Sequence, residues 1–273
     1  MSLIAGARVL VTGGATGLGR LLGELCLERG AAQLIIWDRD RAMLSEVVEV
    51  LTGRGYCVTG TAIDITRTEE VAGAGEALLR EHGPVDILFN NAGIIVGRFF
   101  EEHSHAEIDR VLQVNVAGAM HVARVFLPSM VVRGCGHLVN ISSAAGMASS
   151  PRMSVYVGSK FALLGWSEAV RIEMEERRTG VRVTTVTPFY IGTGMFEGVR
   201  SPIVPIVRPL SAARQVVRAV ERDRIFCRMP WIVYAMPFFH GMLPKRWFDG
   251  LIGRWFGIFS SMDGFRGKRD IGV

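Results

Sequence analysis

Two side chains in this sequence are spaced for proton chemistry. Tyr156 and Lys160 stand four residues apart at the start of a predicted helix over 154–178, which puts both on one helix face, one turn apart. A tyrosine hydroxyl ordinarily loses its proton near pH 10. A neighbouring ammonium stabilises the phenolate and lowers that value, so the pair could exchange a proton with an alcohol or carbonyl near neutral pH. A Tyr-x-x-x-Lys match alone is common, and an ordinary amphipathic helix surface would explain it. Composition adds weight: of 31 basic residues only Lys160, Lys245 and Lys268 are lysine, so lysine at 160 stands against a strong preference for arginine.

A second constellation could hold an anion. Thr12-Gly13-Gly14-Ala15-Thr16-Gly17-Leu18-Gly19 follows the first apolar run and opens the first helix. Glycines there allow a tight turn and a close backbone approach, and the first amides of the helix face the bound group. Asp38 ends the second apolar run, 19 residues after Gly19. A carboxylate there accepts hydrogen bonds from both ribose hydroxyls of an adenosine and repels a 2′-phosphate, favouring NAD over NADP. Arg39 and Arg41 follow at once and temper that preference.

The elements that must position these groups read as alternating strands and helices. Apolar runs at 7–12, 33–37, 56–63, 85–89, 136–142 and 181–187 predict six strands, and helical patterns over 17–29, 40–52, 67–81, 104–132, 154–178 and 211–222 separate or follow them. Such alternation predicts a doubly wound, Rossmann-type parallel sheet in a three-layer α/β fold, with helices on both faces. No linker or repeat interrupts the chain, so 1–273 reads as a single dinucleotide-binding catalytic domain. Within it, the proline-rich stretch 188–210 reads as a substrate loop and 225–273 as a C-terminal extension rich in aromatics. The window 225–265 holds 11 of the 23 Phe, Trp and Tyr residues.

Composition excludes several classes. Hydrophobic residues make up 49% and charged residues 21%, so the chain is not disordered. Cys26, Cys57, Cys135 and Cys227 form no close pair and read as reduced thiols of a cytoplasmic protein. No signal peptide is expected in MSLIAGARVLVTGG. The net charge is +5, yet residues 1–200 carry 19 basic against 21 acidic side chains, and 201–273 carry 12 against 5. No recognition motif accompanies that basic excess, so no nucleic-acid partner is expected. His103 and His105 flank Ser104, a natural helix N-cap, and a solvated helix start is preferred to a metal pair; no metal is expected. Asn140-Ile141-Ser142 matches a glycosylation sequon but ends a buried strand.

Taken in order, these motifs resemble the short-chain dehydrogenase/reductase superfamily over roughly residues 5–195. The resemblance rests on the 12–19 turn, Asp64 after the third strand, Asn90-Asn91-Ala92-Gly93 after the fourth and Asn115 in the long helix. It continues through Ser142-Ser143 after the fifth strand, then Tyr156, Lys160 and Thr193. It implies that Tyr156 is the general acid/base, that Lys160 lowers its pKa and holds the nicotinamide ribose, and that Ser143, preferred to Ser142, binds the substrate oxygen. Asn115 would hold a relay water. Gly13, Thr16, Gly17, Leu18, Gly19, Asp38, Asp64, Ile65, Asn91, Ala92, Gly93, Pro188, Ile191 and Thr193 would join Tyr156 and Lys160 around the dinucleotide. The family often has Pro-Gly after the sixth strand; Pro188-Phe189-Tyr190 departs from that.

The run through Thr193-Gly194-Met195-Phe196 and the later Met229-Pro230-Trp231 are similar to the retinol dehydrogenase and 17β-hydroxysteroid dehydrogenase branch. This implies an NAD-dependent oxidoreductase of a hydrophobic alcohol (secondary, steroid-, retinoid- or aryl-type) and its carbonyl. Ser143, Phe189, Tyr190, Met195 and Phe196 would face the substrate. Relatives assemble as homodimers or homotetramers, and the same is expected here. Two alternatives stay open: an NADP(H)-dependent carbonyl or imine reductase with the same catalytic set, and a membrane-surface nucleotide-binding protein without turnover. The segment 225–265, with Trp247-Phe248 and Trp255-Phe256 among Lys245, Arg246 and Arg254, either packs on the core or pocket or makes peripheral contact with a membrane.

Overall fold

The computed structural model describes residues 2–201, 203–255 and 257–267; Phe256 and Lys268 lie outside them. Seven strands form one parallel sheet in the order β3-β2-β1-β4-β5-β6-β7. They are β1 (Arg8–Thr12), β2 (Gln33–Asp38), β3 (Val58–Ala62), β4 (Ile87–Asn90), β5 (Gly136–Ile141), β6 (Val181–Pro188) and β7 (Phe226–Met229). The chain reverses direction across the sheet between β1 and β4, the topological switch point where a parallel sheet opens a crevice at its carboxyl edge.

The central strands β1, β2 and β4 are largely apolar on both faces because both faces are covered. Val9 and Val11 of β1 and Leu34 and Ile36 of β2 face one core cluster. That cluster includes α1 (Gly17–Glu28), α2 (Arg41–Gly53) and α7 (Pro209–Glu221). Leu10, Ile35 and Trp37, the alternate residues, face the other cluster. There α3 (Thr68–His82), α5 (Ala119–Arg133) and α6 (Ser154–Glu176) cover the sheet, while α4 (His105–Leu112) packs on α6. Each fully buried aliphatic side chain contributes about 1.5–3 kcal/mol.

The structure departs from the expected elements in two places. β7 was not expected; the stretch reads as the start of the aromatic tail, but Thr185–Pro188 of β6 pair with Phe226–Met229. The long helix over 104–132 is continuous but not uniform: a π turn, Gln113–Gly118, separates α4 from α5. The helix His105–Arg133 is long and apolar enough to cross a bilayer by length and composition, but Val122, Ala123, Phe126 and Met130 are buried in the core beside the sheet. Ser104 caps α4, accepting the Glu107 amide while Glu107 accepts the Ser104 amide, as the sequence predicts.

At the amino edge of the sheet, His137 of β5 is buried between Ser2 Oγ and Thr184 Oγ1, each 2.8 Å away. The Thr184 hydroxyl donates to the Arg224 carbonyl, so the imidazole donates through Nε2. Burial pushes its pKa from 6.5 down to about 4, opposed by the nearby Asp223. Below about pH 6.5 the unfolded chain takes up a proton that the folded core refuses. Stability is therefore full above that pH and falls, by about 3 kcal/mol, as pH drops towards 4. Melting temperature followed against pH should show this slope, and His137→Gln should flatten it while lowering the melting temperature at pH 8.

Candidate active site

The glycine turn sits at the carboxyl end of β1. Gly13 and Gly17 have φ of +63° and +57°, a region costly for other residues. A Cβ on Gly13 would meet the Ala92 backbone at 3.0 Å. Thr16, the N-cap of α1, makes no side-chain capping bond, so the first amides of the helix are left for an anion. Gly19 serves differently from the expectation. It does not line the cleft; a Cβ there would lie 2.5 Å from Asn91 Nδ2 and overlap the Gly13 carbonyl oxygen. Its bareness lets the turn and the β4 loop close on each other. Asn91 completes that closure by donating to the carbonyls of Thr12 and Gly13, both at 3.0 Å. Thr12 Oγ1 accepts the amides of Asn91 and Ala92.

A cleft of about 340 Å3 runs from this turn across the switch point. Gly13, Thr16, Gly17, Leu18, Asp38, Asp64, Ile65, Asn91, Ala92, Gly93, Pro188, Ile191 and Thr193 all line it, as do Ser143, Tyr156 and Lys160. Asp38 is pinned: Oδ2 accepts the Ala15 amide at 3.0 Å and Oδ1 the Asp40 amide at 3.1 Å, leaving lone pairs for hydroxyl donors. Asp64 is held by Arg110, 2.8 Å away, and by the Thr66 amide and hydroxyl. Burial works against its charge, but these bonds outweigh it and keep the carboxyl below its ordinary range. This uncapped turn, with its bare glycines and pinned carboxylate, fits a dinucleotide.

At the far end Tyr156 and Lys160 are buried together, with the ammonium 5.6 Å from the phenol ring centre. Lys160 Nζ donates to the Ile141 carbonyl at 2.9 Å. Burial pushes the amine down to about 8. Burial likewise raises the phenol above its ordinary value, and the hydrogen bond from Ser143 pulls the other way. The lowered phenol expected from the spacing is thus overridden by desolvation in the protein alone. Ser143, not Ser142, meets that phenol; the Ser142 hydroxyl donates to the Lys160 carbonyl at 3.0 Å.

Asn115 stands on the π turn. Its Oδ1 accepts the Ile94 amide at 2.8 Å, and Nδ2 donates to the Ile94 carbonyl and Ser159 Oγ. Both amide hydrogens are thereby committed, so the side chain clamps the β4 loop to α6 and has no free amide hydrogen for the relay water expected there. Of the expected substrate residues, Phe189, Met195 and Phe196 line the cleft and Tyr190 does not. Neighbours in extended backbone point to opposite sides. Tyr190 turns to the tail, where its hydroxyl lies 2.8 Å from Ser261 Oγ.

Sequence reading missed Trp37, Arg110, Val114 and Ile94, which also line the cleft. Ile94 follows Gly93, Val114 precedes Asn115 and Trp37 precedes Asp38, whereas Arg110 lies away from the motifs and only the fold brings it in. Trp37, next to Asp38, could have been found from its place at the end of β2.

A family model described as short chain dehydrogenase matches residues 7–203. The chain belongs to the short-chain dehydrogenase/reductase family and is an oxidoreductase acting on CH–OH donors. It is similar to mouse epidermal retinol dehydrogenase 2, 36% identical over 97% of this chain and 87% of that one. Human short-chain dehydrogenase/reductase 3 is 29% identical over 95% and 86%. Among solved structures, a Burkholderia phymatum short-chain dehydrogenase/reductase in complex with NAD superposes with a TM-score of 0.80 at 24% identity, covering 100% of both chains. A Burkholderia cenocepacia gluconate 5-dehydrogenase in complex with NADP and tartrate superposes at 0.78 and 20% identity, over 86% and 98%.

Replacing Asn115 by Ala would strip bonds from both Ile94 backbone groups. Each unsatisfied group costs about 1–3 kcal/mol when buried, and both Ile94 groups are partly buried, so Asn115→Ala should lose about 2 kcal/mol or more in urea unfolding. Unchanged stability would show that the clamp carries no energy.

Proposed function

We propose that this protein is an NAD-dependent dehydrogenase that interconverts a hydrophobic alcohol and its carbonyl, with Tyr156 as the general acid/base. The observation that carries the reading is the meeting of Ser143, Tyr156 and Lys160 at one end of a cleft whose other end presents an uncapped helix and Asp38. The bound dinucleotide would supply the hydride acceptor and, in its oxidised form, a cationic ring. Gly13, Gly17 and the first amides of α1 would hold its pyrophosphate, Asp38 its adenosine ribose, and the pocket beside Asp64 and Ile65 its adenine. Lys160, on the cleft floor, would hold the nicotinamide ribose.

Ser143 Oγ would orient the substrate oxygen, and Tyr156 Oη would take the alcohol proton in oxidation and return it in reduction. A buried phenol needs positive charge nearby before it can ionise, and Lys160 is the fixed cation of the site. Asn115 would position Lys160 indirectly, through Ser159 and the Gly93-Ile94 loop. Phe189, Met195 and Phe196 would exclude water from the reacting carbon and bury an apolar substrate, at about 25 cal/mol per Å2 covered. The retinol dehydrogenase names of its relatives support a lipid-type alcohol. Assembly into a homodimer or homotetramer goes with this reading, since Phe161 and Ile172 of α6 and Val132 of α5 stand exposed.

A second reading, an NADP(H)-dependent carbonyl reductase, draws on Arg39, which lines the cleft beside Asp38 and could meet a 2′-phosphate. Asp38→Asn separates the two. If NAD is the coenzyme, kcat/KM with NAD should fall about 10–100-fold as a charged hydrogen-bond acceptor is lost, and NADP should gain. A wild-type protein that already prefers NADP would favour the second reading. Tyr156→Phe should abolish turnover of a retinoid, steroid and aryl alcohol panel while fluorescence titration still reports NAD binding. Near-normal activity in that variant would overturn the mechanism.

A further inference from the structure

The C-terminal segment has two faces. Its inner face is built into the catalytic end of the fold. Val233 and Met236 pack on Ala144, next to Ser143, and share a cluster with Phe189 of the cleft wall. Farther on, Met262 packs with Tyr156 and Tyr190, and the Ile258 carbonyl accepts Ser150 Oγ. Its outer face is different. Trp231 is 80% exposed, Trp247 72% and Trp255 71%, and Phe238 and Met242 are exposed as well.

With Tyr234 and Phe239, seven of the 18 large apolar side chains exposed among the described residues lie within the 25 positions 231–255. Leaving indole and phenyl surface in water costs free energy that burial in an apolar medium would return. The charges of the same stretch, 231–255, are Lys245, Arg246 and Arg254 against the single acid Asp249. Asp249 is paired with Lys245 at 2.6 Å, which leaves Arg246 and Arg254 as its uncompensated charge. Exposed tryptophan in a stretch with net positive charge complements an anionic lipid headgroup layer.

We propose that residues 231–255 form a peripheral docking surface for an anionic bilayer, which seats the substrate end of the cleft on the lipid. The surface wets the aromatic side chains into the acyl–headgroup boundary and sets the two arginines among phosphates and carboxylates. The short helices α8 (Met236–Met242) and α9 (Lys245–Phe248) are too brief to span a bilayer, so the contact is interfacial. Docking itself needs no turnover. Only its consequence, delivery of a lipid-borne alcohol to Phe189 and Phe196, rests on the proposed activity.

The test is sedimentation of the full chain with phosphatidylcholine vesicles, with and without phosphatidylserine. The protein should pellet with the phosphatidylserine vesicles and be released by raised salt. Arg246→Gln with Arg254→Gln should weaken partitioning at least about tenfold, at about 1 kcal/mol per cation. Trp247→Ser with Trp255→Ser should abolish it, with NAD titration and circular dichroism unchanged as the check on folding. A wild-type protein that stays in the supernatant with both vesicle types overturns the proposal. So does a tryptophan variant that pellets normally but falls from oligomer to monomer in light scattering, because the face would then be a subunit interface.

Discussion

A lysine ammonium buried with one carbonyl for a partner is the constraint on which the site rests. Lys160 is 4% exposed and donates to Ile141 at the end of β5. Burying such a charge is expensive unless its donors are satisfied, and the lowered pKa is the sign of that expense. The first turns of α6 are therefore fastened from several sides. Ser142 Oγ bonds the Lys160 carbonyl, Ser159 Oγ bonds the Tyr156 carbonyl, and Asn115 bonds Ser159. Tyr156 is held by the same turns, so the placement of the phenol follows from the placement of the amine.

The fastening extends into the sheet through a chain of buried polar groups. Asn90 of β4 donates to Asn140 of β5, Asn140 donates to Ser167 of α6, and Ser167 lies 2.6 Å from Thr185 of β6. An apolar packing of the same elements would allow small sliding of the helix, whereas matched donors and acceptors specify one register. The carboxyl edge of the sheet, where the cleft opens, is thereby rigid at its chemical end. The apolar wall of the cleft comes from the loop carrying Phe189, Met195 and Phe196, backed by Met262 and Phe265 of the tail, and its contacts are mainly apolar and aromatic: Tyr156 with Phe196, and Phe189 with Tyr190. Precision is concentrated where a proton would move and shape tolerance where an apolar molecule would sit.

Most of the fold can be read from the sequence because the central parallel strands are rich in apolar residues and end at glycine or polar stops. β7 escapes that reading: it is four residues long, contains Arg228, and owes its strand character to pairing with β6. Arg228 is accommodated by stacking over Phe226 and Tyr234, a contact no periodicity reveals. The motif residues of the cleft are legible because each lies at a strand end or helix start. Gly19, Asn115 and Tyr190 are legible as positions but not as roles, since a glycine that admits a neighbour and one that admits a ligand look alike in sequence. The same holds for an amide that clamps and one that binds. Arg110 is invisible for another reason: its partner Asp64 lies 46 residues away in the chain.

The π turn at Gln113–Gly118 has a consequence for how this chain can change length. It accommodates one more residue than an α turn would, between two regular helical segments that both pack on their neighbours. Removing one residue there would relax the turn to ordinary α geometry with the flanking faces still in register, whereas removing one from α5 would rotate everything upstream of the cut by about 100°. Val111 would leave its pocket and Arg110 would swing away from Asp64. The residue count is therefore adjustable at the π turn and fixed in the α-helical segments on either side of it.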